Sequence, residues 1–130
     1  MVLTKRVVAV VGGLLVAGAT VARAAVFHLH LEKSEPADKA EIAAAPSELR
    51  LWFSEPAEIS ATRVSLSSGK DTIALGKPTR GKAKDAPLVF SVTRPLHAGP
   101  YKVGWRTMGD DGHAVTGTFA FTIKAGAPGR

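Results

Sequence analysis

At 130 residues the chain is long enough for one core and too short for two. Hydrophobic residues make up 45% and charged residues 22%, the ordinary balance of a globular protein. Cysteine is absent, which excludes disulfides, thiolate metal sites and cysteine nucleophiles, and the net charge of +6 leans basic.

The chain opens with Lys5 and Arg6, runs uncharged over residues 7–22, and reaches Ala22-Arg23-Ala24. Basic start, apolar centre and A-x-A site are the three parts of a secretory signal peptide. With Gly12, Gly13 and Gly18 inside it, the apolar run is short for a membrane span. Residues 1–24 are therefore expected to be cleaved, leaving a chain that begins Ala25-Val26-Phe27-His28 and does not insert in a membrane. Removing Lys5, Arg6 and Arg23 leaves 14 basic against 11 acidic residues, an excess of three. Lys77, Arg80, Lys82 and Lys84 concentrate part of it in one loop. That loop lacks interleaved aromatics and reads as solvated, with docking on an acidic partner as the alternative and nucleic-acid binding not expected.

Eight prolines, thirteen glycines and short β-branched runs point to an all-β class. Residues 27–32 (FHLHLE) alternate, with Phe27, Leu29 and Leu31 on one face and His28, His30 and Glu32 on the other, which predicts a first strand. Residues 34–38 read as a turn and 40–45 as a short connection or helical turn. Residues 48–54 (ELRLWFS) predict a second strand with Leu49, Leu51 and Phe53 inward; Trp52, opposite, is expected to be covered by a neighbouring segment or to lie near a site. Residues 62–67 and 72–75 predict a third strand and a short edge strand, and residues 87–93 another.

Residues 95–101 (PLHAGPY) place glycine just ahead of a strand-initiating tyrosine, as in the tyrosine corner of Greek-key sandwiches. The stretch 101–122 organises the rest. Tyr101, Val103 and Trp105 alternate with Lys102, Gly104 and Arg106, and Phe119, Phe121 and Ile123 with Thr118, Ala120 and Thr122, which is a two-stranded antiparallel pattern. Its loop carries Asp110, Asp111, Gly112 and His113. A carboxylate and an imidazole two residues apart at a sheet end make half a metal site, although Asp-Gly is equally ordinary hairpin-turn chemistry. The tail, 125–130, has nothing to bury. The total is about seven strands and no long helix, a β-sandwich of immunoglobulin or cupredoxin type spanning residues 25–124.

Read in order, H-x-H-L at 28–31, S-x-P-A-D at 34–38, L-x-L-x-F-S-E-P near 49–56, P-L-x-A-G-x-Y-x-V-x-W-R at 95–106 and D-G-H-x-V-x-G-x-F-x-F at 111–121 resemble the CopC family. The resemblance implies a periplasmic Greek-key β-sandwich that binds Cu(II) and serves copper resistance or delivery to an inner-membrane partner. It places the Cu(II) ligands of one ion at His28, Asp111 and His113, with Glu55 near the metal; His30, which shares a face with His28, is expected as an extra ligand. Cu(II) favours imidazole nitrogen and carboxylate oxygen in a tetragonal array, so the set is chemically coherent. Two features depart from the family. The histidine is often the mature N-terminus there, whereas Ala25-Val26-Phe27 precede His28 here, which removes the amine chelate. Met108 is the one methionine beyond Met1, so no Cu(I) thioether site is expected. A binding protein, not an enzyme, is the expectation. The alternatives are an exported immunoglobulin-like interaction domain with little copper affinity, and a copper monooxygenase built on an N-terminal histidine brace, which the buried-in-chain His28 disfavours.

Overall fold

A computed structural model of the chain describes residues 29–126. The expected signal peptide, His28 and the last four residues lie outside the described residues. Nine strands follow in order: β1 (Leu31–Glu35), β2 (Ala40–Ile42), β3 (Glu48–Phe53), β4 (Arg63–Ser68), β5 (Asp71–Ile73), β6 (Thr79–Arg80), β7 (Leu88–Ser91), β8 (Gly99–Met108) and β9 (Ala114–Ile123). A single 3-10 turn, Ile59–Ala61, precedes β4. The strands form two sheets, β1-β3-β7-β6 and β2-β9-β8-β4-β5. This is the all-β sandwich that the alternation predicts.

Period-two burial builds the core between the sheets. From the four-stranded sheet come Leu49, Leu51, Leu88 and Phe90; from the five-stranded sheet come Leu66, Val103, Trp105, Phe119, Phe121 and Ile123, all buried. Fully burying one such side chain contributes about 1.5–3 kcal/mol relative to exposure. Outside the core, Arg50 of β3 is held by hydrogen bonding and charge from Glu48, with Glu35 beyond, which raises its already high pKa. It is a permanent surface cation with a structural role.

The tyrosine corner forms. The Tyr101 hydroxyl donates to the His97 carbonyl at 2.7 Å, and its ring stacks on Phe121 with centroids 5.4 Å apart. His97 itself is exposed. Tyr101→Phe keeps the ring and leaves the His97 carbonyl without this donor. It is expected to cost about 1 kcal/mol in urea unfolding; a change near zero would mean that the bond does not tie the corner.

Seven strands coincide with the seven expected, and two short ones are added. Residues 40–42, expected in a connection or helical turn, form β2, which runs parallel to the end of β9 with Ala40 opposite Phe121. Three residues carry no periodic signal. They become a strand because Asp38 Oδ1 accepts the Ala120 N–H and Lys39 N–H donates to the Ala120 carbonyl, laying the segment on the edge of β9. The basic loop contains β6, paired with β7.

The first strand is also displaced. Residues 29 and 30 precede β1, which continues through Ser34 and Glu35 where a turn was expected. A bulge between Leu31 and Lys33 inserts one residue against β3. Leu29 and Leu31 thus face inward before it, and Ser34 and Pro36 after it. Trp52 receives the cover it needs from this strand, with Lys33 Nζ lying 4.5 Å from its ring centroid.

Candidate metal centre

β8 and β9 pair over their full length, from Gly99 opposite Ile123 to Met108 opposite Ala114, and so carry the connecting loop to one end of the sandwich. The loop closes by a Gly112 N–H bond to the Gly109 carbonyl at 3.1 Å. Gly112 has φ of +76°, a region that a side chain would strain.

Asp111 grips His113 twice. One carboxylate oxygen accepts the His113 main-chain N–H at 3.0 Å, and the other lies 3.0 Å from its Nδ1. A carboxylate oxygen and an imidazole lone pair repel at that distance unless a positive charge lies between them. Either a proton or a metal ion satisfies this. With a proton on Nδ1, Nε2 carries the free lone pair. The imidazole is 79% exposed, so its orientation depends on Asp111 rather than on packing.

A second segment is pinned to the same end. Glu58 N–H donates to the Met108 carbonyl at 2.9 Å, and Thr62 Oγ1 donates to the Glu58 carbonyl at 2.6 Å. Thr62 has one hydroxyl proton, already given to Glu58, so Thr107 is the donor in the 2.7 Å bond between the two buried hydroxyls. At the start of this segment, Ser54 is bonded to His30. Glu55 lies between these anchor points. A point one bond out from the Gly109 α-carbon, where a side chain would begin, is 3.7 Å from Glu55 Oε2, 3.7 Å from Asp111 Oδ1 and 3.8 Å from Leu29 Cβ. Two carboxylates and the first described residue of the chain therefore converge on Gly109.

Of the expected ligands, the structure brings Asp111 and His113 together and sets Glu55 beside them. His30 lines a different groove, between β1 and β9, with Trp105. Among the described residues no three His, Cys, Asp or Glu side chains come close enough together to hold a metal ion, and His28 lies outside them. Neither Ser54 nor Leu29 is expected at the site from the sequence. Ser54 stands within the F-S-E-P motif, but its hydrogen bond depends on a cross-strand register that no local pattern encodes.

A β-sandwich with a His/carboxylate loop at one end, approached by the first described residue, Leu29, has the architecture of a small metal-binding domain. Residues 31–124 match the CopC domain, and the chain belongs to that family. It is similar to copper resistance protein C of Escherichia coli, at 36% identity over 124 residues that cover 89% of this chain and 95% of that one. The crystal structure of PcoC, described as a methionine-rich copper resistance protein from Escherichia coli, superposes with a TM-score of 0.65 at 30% identity, covering 75% of this chain and all of the other. Copper transport protein CutJ of Bacillus subtilis is 26% identical over 97 residues, which cover 74% of this chain but 18% of CutJ.

Proposed function

We propose that the protein binds copper after export, holding one Cu(II) ion as cargo for sequestration or delivery. The observation that carries this reading is the Asp111–His113 pair, clamped at two points with Glu55 beside it. Imidazole nitrogen and carboxylate oxygen are the donors that Cu(II) takes; His113 offers the first, and the Asp111 and Glu55 carboxylates meet at Gly109. Asp111 and His113 supply two ligands. His28 supplies a third, since it is covalently next to Leu29, which is buried against Gly109. Glu55 adds negative charge that favours a dication. Relatives named for copper resistance and copper transport support the same cargo.

Export rests on the signal-peptide pattern, with cleavage after Ala24 and residence in the periplasm. Among the described residues no helix is long and apolar enough to cross a membrane. CutJ carries a similar segment within a much longer chain. That arrangement favours an inner-membrane copper transporter as the separate partner here. PcoC is described as methionine-rich, whereas this chain has Met108 alone beyond Met1, so we assign it no Cu(I) thioether site. Met108→Leu is accordingly expected to leave Cu(I) uptake unchanged in a chelator competition; a clear loss would reveal thioether ligation.

The test is a Cu(II) titration of the processed protein against a competing chelator. One tight equivalent is expected. Uptake no stronger than that of an unrelated β-sandwich would favour an exported interaction domain, in which Ala25-Val26-Phe27 ahead of His28 have cost the copper chelate.

A further inference from the structure

Resting on the copper reading, we propose that Ser54 is a positioning residue, which sets the register of the histidine-bearing start of the chain against the metal loop. β3 ends at Phe53, and Glu55-Pro56 turns the chain away. The next rung of the β1–β3 ladder would pair His30 with Ser54 through two main-chain bonds. One is present, Ser54 N–H to the His30 carbonyl at 2.8 Å. The other is replaced: the His30 N–H donates to the Ser54 hydroxyl at 3.0 Å. The side chain stands in for a main-chain carbonyl and extends the ladder one rung past the end of its strand.

That rung is significant because of the bulge. In a regular strand, the pairing from Ser34 to Glu35 would fix the register of everything upstream. The inserted residue between Leu31 and Lys33 breaks this continuity. Upstream of the bulge the register rests on Leu31 opposite Phe53 and on the His30–Ser54 rung. A slip of one residue would exchange the two faces of the strand, turning Leu29, the chain neighbour of His28, away from Gly109. Ser54 is also next in sequence to Glu55, so one residue ties the first strand to the segment that brings a carboxylate to the site.

The experiment compares processed wild type, Ser54→Ala, Ser54→Thr, His28→Ala and the Ser54→Ala/His28→Ala double variant. Each is titrated with Cu(II) against a chelator and examined by EPR. Ser54→Ala is expected to weaken copper by about tenfold, the low end for residues that orient a ligand, and to change the parallel copper hyperfine coupling. Ser54→Thr, which keeps the hydroxyl, restores both. In the His28→Ala background the same Ser54 change has less than about a twofold effect, because it acts through the lost ligand. In metal-free Ser54→Ala the His30 amide exchanges faster. Unchanged affinity and spectrum in Ser54→Ala, or an undiminished effect without His28, would overturn the proposal. Wild-type protein that takes up no copper would instead overturn the copper reading, a result visible before any variant is compared.

Discussion

Gly117→Ala is expected to destabilise the protein by about 3 kcal/mol, at the upper end for overpacking a core. Gly117 is the cross-strand partner of Trp105, and the indole lies directly on it. A β-carbon at position 117 would fall 2.3 Å from Trp105 Cζ2 and 2.6 Å from Cε2, separations that no side chain tolerates. The indole has little room to retreat. It is buried, and Phe53 of the opposite sheet packs edge-on against it with centroids 5.2 Å apart. The strain therefore spreads to the contact between the sheets. Urea unfolding is the measurement, with Thr118→Ala as the neighbouring control on the exposed face, expected within about 0.5 kcal/mol of wild type. A Gly117→Ala protein as stable as the control would mean that the indole does not cover this strand.

The second large effect is on copper. Asp111→Ala is expected to lower Cu(II) affinity by about a hundredfold or more, at or beyond the upper end for residues that support a metal ligand. The change removes a proposed ligand, and with it the two contacts by which Asp111 holds His113 in the metal-free protein. Asp111→Asn is expected to fall between it and wild type. Its amide oxygen can still accept the His113 main-chain N–H and hold the turn, but it lacks the charge that attracts a dication. Chelator competition gives the ranking. Equal affinity in Asp111→Ala and wild type would remove the loop from the site, and Asn matching Ala would mean that charge outweighs loop geometry.

The sandwich was legible wherever alternation ran long enough to be read. β8 and β9 carry ten residues each, and every second one is buried or half-buried as its side chain predicts. The tyrosine corner was legible because its spacing is local. β2 and β6 were not, since two or three residues have no period and become strands only by lying against β9 and β7. In the first strand Leu29 and Leu31 share a face as the alternation predicts, but no residue announces the bulge that then turns Ser34 and Pro36 inward.

The candidate site divides in the same way. Asp111 and His113 sit two residues apart, and a hairpin loop brings such neighbours together without tertiary help. Glu55 came from motif resemblance, and its approach to Gly109 is a tertiary fact, set by the Glu58–Met108 and Thr62–Thr107 bonds. His30, expected as an extra ligand, lines the groove beside Trp105 and its main chain is bonded to Ser54. The basic loop is likewise more than a solvated run: Arg80 donates to the Ala57 carbonyl and helps to hold the segment that follows Glu55.

The most direct measurement is EPR of the processed protein carrying one equivalent of Cu(II), with His113→Ala prepared alongside. A single tetragonal species with hyperfine structure from imidazole nitrogen is expected, and a variant spectrum with one nitrogen fewer. A mixture of weakly bound species that is the same in both proteins would contradict a copper site at the β8–β9 loop.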